Sequence, residues 1–146
     1  MLNRDSNPAK GLWNGIGGKI EKDESARECV LRETFEETGI ELTEAEYKGT
    51  VTWEVEGALT GKMYMFVAEV PDDLEYRTPR KVEEGILDWK EIGWVLSEGN
   101  FGVGEAIPRF LPTILDRREC YEHLCVLKNN RLVDYQFVPI ERSAHV

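Results

Sequence analysis

The chain has 146 residues, is 41% hydrophobic and 32% charged, and is long enough for one domain with its own core, expected over 1–146. A formal net charge of −10 and a pI of about 4.8 argue against a nucleic-acid partner, which needs clustered Lys and Arg. A small phosphorylated ligand stays compatible if metal ions invert the local charge. Three cysteines without framework spacing, no apolar run of transmembrane length and a first decapeptide unlike a signal sequence lead us to expect a cytoplasmic protein without disulfides or membrane partner.

Residues 1–17 are turn-rich, with Asn7-Pro8, Gly11, Gly15 and Gly17. Ser25 to Thr38 reads as a helix: Ser25-Ala26-Arg27-Glu28 is a capping box and Gly39 the terminating glycine. Tyr47–Glu56 and Lys62–Val70 are rich in Val, Thr and aromatic residues, so two strands are expected around a turn at Ala58–Gly61. Pro71–Lys81 reads as a surface loop, Gly85–Trp89 as a short strand, and Ser97–Glu105, with Gly99, Asn100, Gly102 and Gly104, as a long loop. A second helix is expected over Ala106–Arg118, with Pro112 kinking it. A terminal hairpin is expected over Tyr121–Lys128 and Arg131–Ile140 around Asn129-Asn130. Helices and strands mix without β-α-β repetition, which gives an α+β fold with a mixed sheet flanked by helices. Cys29 suits a small core position. Cys120 and Cys125, with only His123 nearby, lack the CxxC spacing of a zinc site.

The first helix carries the chemistry. At about 100° per residue, Glu33 and Glu37 align with Ala26 and Val30, and Glu36 flanks that stripe beside Cys29. Solvated glutamates rarely choose a face that also carries small apolar residues. These three repel one another at i,i+3 and i,i+4 spacing, and a cation among them relieves that cost. Oxygen donors without His or Cys select a hard ion, Mg²⁺ or Mn²⁺. Arg32 has two readings from its position: an ion pair with Glu28 or Glu36 on the surface, or a group behind the ligands that orients a glutamate.

Gly18, Glu24, Arg32, Glu33, Glu36, Glu37 and Gly39, followed by Ile40, stand at the spacing G-x5-E-x7-R-E-x-x-E-E-x-G. At residue frequencies of roughly 5–10%, chance agreement at seven positions is below about one in a million per start position. The stretch resembles the signature of the Nudix hydrolases, with Thr34 at a position that is usually apolar. The resemblance implies an α/β/α sandwich with a mixed sheet, metal ligation by Glu33, Glu36, Glu37 and the Gly18 carbonyl, orientation of a catalytic glutamate by Arg32, and a supporting role for Glu24. It implies attack of water on phosphorus in a nucleoside diphosphate linked to another group. Triphosphates are the leading substrates. ADP-ribose, nucleotide sugars and dinucleoside polyphosphates are alternatives, as is a nucleotide-sensing module without hydrolysis.

Trp13-Asn14-Gly15-Ile16-Gly17-Gly18-Lys19 is similar to the lead-in of the MutT-like branch, whose members hydrolyse oxidised purine triphosphates such as 8-oxo-dGTP. That similarity assigns Arg4, Asn14, Lys19 and Trp53 to the substrate. Trp53 is equally a core strand residue by its position. Glu84, in Glu84-Gly85-Ile86-Leu87-Asp88-Trp89, matches a glutamate near the metals and is the candidate base, with Glu83 as fallback. The similarity departs at base recognition: Ala106 and Ile107 stand where an acidic pair is usual, with Glu105 the nearest acid. It departs again at the start, where only seventeen residues precede Gly18. Met1–Arg4 resembles the end of a strand, so the usual N-terminal strand is expected to be missing. The exposed sheet edge this would leave makes a homodimer the expected assembly.

Overall fold

A computed structural model describes residues 1–116 and 119–141. In chain order the elements are β1 (Leu2–Arg4), β2 (Trp13–Asn14), α1 (Ala26–Thr38), β3 (Glu46–Val55), β4 (Ala58–Val67), β5 (Arg80–Lys81), β6 (Gly85–Leu87), α2 (Ile92–Val95), α3 (Ile107–Leu115), β7 (Cys120–Lys128) and β8 (Arg131–Ile140). They form two four-stranded sheets rather than the one sheet expected. The smaller has the order β2-β1-β6-β5 and the larger β4-β3-β7-β8. The larger sheet is mixed, because β7 runs parallel to β3 while β4 and β8 pair antiparallel.

Val51 and Trp53 of β3 share a face with their partners His123 and Cys125 of β7. This face carries the core, Val51, Met65, Phe110, Ile114 and Cys125, with Trp53, Ala106 and Ile107 packed against it. Phe110 and Ile114 come from α3, one turn apart, so α3 covers this face. The opposite face, with Tyr47, Thr50 and Tyr64, borders a cleft closed by Ile20, Ser25 and Ala26 at the start of α1.

Several boundaries move for identifiable reasons. The β3–β4 turn lies at Glu56-Gly57 rather than Ala58–Gly61, because those two residues hold the left-handed angles (φ 51° and 85°) that a two-residue hairpin turn needs. The terminal hairpin turns at Asn129-Asn130 as expected, also with positive φ at both. Arg80-Lys81, read as loop, is a strand because β6 pairs with it. The short helix α2 was not anticipated. Helix α3 runs through Pro112, and Arg117 and Arg118 lie outside the described residues. Leu2–Arg4 does form a strand, but an inner one. Leu2 pairs with Asn14 on one side and Leu87 on the other, so no unpaired edge lies at β1. The edges of that sheet are the two-residue strands β2 and β5.

Candidate active site

Helix α1 begins and ends as its sequence dictates. Ser25 accepts from the Glu28 amide while Glu28 accepts from the Ser25 amide, and Gly39 closes the helix at φ 76°. Glu28 is thereby committed to the cap. The partners of Arg32 are instead Glu24 (Nε to Oε1 2.7 Å, Nη2 to Oε2 3.0 Å), Glu33 (2.8 Å) and Glu36 (3.0 Å). Nη2 also donates to the Lys19 carbonyl at 3.2 Å. Arg32 thus holds Glu24 and Glu33 in addition to Glu36, the surface partner that its spacing offered. The guanidinium ties the loop before the helix to two of the box glutamates. Its hydrogen bonds hold the Glu24 carboxyl down at about 2, and Glu24 and Glu33 together raise the Arg32 pKa.

Glu37 lies in a different environment. It is 8% exposed and accepts from the Gly17 amide at 3.2 Å. Burial pushes its carboxyl up to about 7, with repulsion from Glu84 and Glu33 adding to it and the Gly17 amide and Arg4 opposing. Glu33, Glu37, Glu84 and Arg4 therefore form one electrostatic neighbourhood. They arrive from α1, from the end of β1 and from the turn before β6. The register that pairs Arg4 with Gly85 brings the last two together, and the Asp5 amide donates to the Glu84 carbonyl at 2.9 Å. Arg4 Nε is buried and has no hydrogen-bond partner among the described residues.

Gly18 completes the neighbourhood, since a methyl group added there would run into the Glu33 carboxylate. Glu36, by contrast, keeps a side chain 56% exposed and is held on Arg32. Among the described residues no three acids, histidines or cysteines converge as a ready-made metal cluster. Glu33 and Glu37 share one electrostatic neighbourhood, while Arg32 holds both Glu33 and Glu36.

The substrate candidates divide. Asn14 sits on β2, its amide donating to the Leu12 carbonyl at 3.0 Å. Lys19 contributes its carbonyl to Arg32 and is exposed. Trp53 is half-buried and packs against the core. Glu105, the acid nearest the base-reading positions, accepts from the Leu132 amide at 2.7 Å and pairs with Arg131, so it braces the β7–β8 turn. Glu83 is exposed.

Sequence reasoning passed over Phe101. It is 86% exposed on a loop held beside Trp13 by the Trp13 amide to Gly102 carbonyl bond (2.8 Å) and the Trp13–Val103 bridge. A lone aromatic among glycines was the signal available.

Comparison with known proteins agrees with the geometry. The NUDIX domain family model matches residues 1–110. The uncharacterized Nudix hydrolase YvcI of Bacillus subtilis is 35% identical over 86 residues, 58% of this chain and 54% of that protein. A CTP pyrophosphohydrolase of Escherichia coli is 44% identical over 62 residues, 42% and 44% of the two chains. The NAD-capped RNA hydrolase NudC of Chromobacterium violaceum is 33% identical over 69 residues, 47% of this chain and 25% of that one. These matches span from a quarter to about half the length of the relatives. A crystal structure of a MutT protein from Bacillus halodurans superposes with a TM-score of 0.68 at 26% identity, covering 93% of this chain and 86% of that one. The box, its fold and these likenesses place the chain in the Nudix family.

Proposed function

We propose that the chain is a metal-dependent nucleotide pyrophosphohydrolase acting foremost on nucleoside or deoxynucleoside triphosphates, which it cleaves to the monophosphate and pyrophosphate. The observation that carries this reading is the Arg4–Glu37 neighbourhood. A buried guanidinium nitrogen without a partner among the described residues lies in the field of a carboxyl raised to about 7. An anionic phosphate satisfies the first, and a cation relieves the second.

The donors fit Mg²⁺ or Mn²⁺. Glu33, Glu37 and the Gly18 carbonyl would hold the ion, with Glu36 joining on release from Arg32; all are oxygen donors, and the carboxylates repel one another without a cation. When bound, the ion neutralises phosphate charge and lowers the pKa of water. Glu84, adjacent to Glu37 and free to face solvent, accepts the proton of the attacking water. The water oxygen adds to phosphorus as the bridging P–O bond breaks, and pyrophosphate leaves. Arg32 fixes Glu33 against Gly18, and Arg4 and Lys19 balance phosphate charge. Asn14, with Trp53 or the exposed Phe101 as aromatic surface, holds the base.

Glu105 is engaged with Leu132 and Arg131, so an oxidised purine would be read without the acidic pair. The likeness to a CTP pyrophosphohydrolase supports testing pyrimidines equally. The test is a panel of common and oxidised triphosphates, NAD, ADP-ribose and a dinucleoside polyphosphate, with Mg²⁺ or Mn²⁺, detecting released phosphate or pyrophosphate beside Glu37→Gln. Equal inactivity of both proteins on every compound refutes the reading.

A further inference from the structure

We propose that Lys90 is a positioning residue that clamps the substrate-facing strand β2 in place. Its ammonium lies 4.1 Å from the ring centre of Trp13 and 5.4 Å from that of Trp94. Trp13 is on β2 beside Asn14, and Trp94 is in α2, so one cation bridges two segments distant in sequence. The Lys90 side chain is only 21% exposed, and Asp88 supplies the counter-charge at 2.6 Å. Asp88 is itself held by Met1, whose amine donates to the Asp88 carbonyl at 2.8 Å and whose carbonyl accepts from the Asp88 amide at 3.0 Å. A partly desolvated cation between two indoles is held more strongly than an exposed one.

The clamp also reaches the loop that carries Phe101. The Trp94 carbonyl accepts from Ser97 Oγ and from Asn100 Nδ2, both at 2.7 Å. Asn100 Oδ1 accepts from the Gly102 amide at 2.9 Å, and the Gly102 carbonyl accepts from the Trp13 amide. Gly102 lies so close to the Trp94 ring that a methyl group there would come within 3.2 Å of Cη2. Lys90 thus closes a ring running from Trp13 through Gly102, Asn100 and Trp94 back to itself. That ring sets where Asn14 and Phe101 stand relative to each other. An ordinary surface ion pair would hold Asp88 and nothing beyond it.

The inference rests on the proposal that Asn14 meets the nucleotide, and its test separates the two. Lys90→Met keeps side-chain length without charge, Lys90→Arg restores a cation, and Trp94→Leu removes one ring in case Lys90→Met fails to fold. Kinetics on the best nucleotide of the panel are read beside ¹H–¹⁵N spectra of the metal-free proteins. Lys90→Met is expected to raise KM roughly five- to tenfold with kcat within about twofold, and to move the Asn14 and Gly102 signals. Lys90→Arg is expected to restore both. Unmoved Asn14 and Gly102 signals, or an unchanged KM in a folded Lys90→Met, overturn the clamp. If wild type hydrolyses nothing, the function proposed above fails, and the spectra alone then decide the clamp.

Discussion

Arg32 and Glu24 meet as a two-point pair, Nε on Oε1 at 2.7 Å and Nη2 on Oε2 at 3.0 Å, and this joins the loop before α1 to the helix body. A planar fork matched to a carboxylate fixes orientation as well as distance. Replacing Arg32 by Met frees Glu24, Glu33 and Glu36 together. Hydrolysis is expected to fall about 10–100-fold, the range for groups that act behind metal ligands. Circular dichroism should still report the helix, because its cap at Ser25 and Gly39 is untouched. Steady-state assays across Mg²⁺ concentrations check this. An unchanged Mg²⁺ dependence and rate would count against the orienting role.

The same pair predicts how stability responds to acid. Glu24 is held near 2 in the folded protein, against an ordinary glutamate value of about 4.3. A depressed carboxyl stabilises the fold above its unfolded pKa. That contribution is lost as pH falls from about 4.3 towards 2. Urea midpoints measured from pH 6 to pH 2.5 should drop less steeply in Glu24→Gln than in wild type. Parallel curves would remove the linkage.

Glu37 has the opposite sign. Its carboxyl is raised to about 7, burial being the main cause. The folded state therefore binds this proton more tightly than the unfolded chain, and its penalty grows as pH rises from about 4.3 to 7 and is complete at pH 8. Glu37→Gln should stabilise the metal-free protein at pH 8 by about 1–3 kcal/mol and show no gain at pH 4. Its hydrolytic activity should fall by more than the roughly 10–100-fold of a residue behind the ligands. Denaturation with chelator at the two pH values, beside a rate assay, tests both halves.

Gly18→Ala separates catalysis from folding. Its new methyl meets the end of the flexible Glu33 side chain rather than backbone, so the fold should change by less than about 1 kcal/mol. Glu33 cannot then stay where Arg32 holds it, and activity should fall at least about tenfold. Gly49→Ala is the contrast, since its methyl would strike the Tyr121 carbonyl between parallel strands at φ 121°. That variant should unfold at much lower denaturant concentration. A Gly18→Ala as unstable as Gly49→Ala would refute this division.

Helix α1 was legible because its boundaries are local: a capping box and a left-handed glycine are written within a few residues. The terminal hairpin was legible for the same reason at Asn129-Asn130. The smaller sheet was not, because strands of two or three residues carry no periodicity. Arg80-Lys81 becomes a strand only because Leu87 and Ile86 lie beside it, and β1 is an inner strand only because Asn14 and Leu87 flank Leu2. At the site, spacing named Glu33 and Glu37 correctly as neighbours. It did not reveal that Arg32 turns to Glu24, which lies before the helix and so outside the i±4 pattern of its face. Nor did it reveal Lys90, whose two indoles come from distant segments.

By gripping the Leu132 amide, Glu105 anchors the end of the Ser97–Glu105 loop, while Asn100 and Gly102 anchor its middle. Within that anchored segment the Phe101 ring stands 86% exposed. A planar ligand settling on that ring would immobilise a side chain rather than order a loop, and the entropic resistance to binding is correspondingly small.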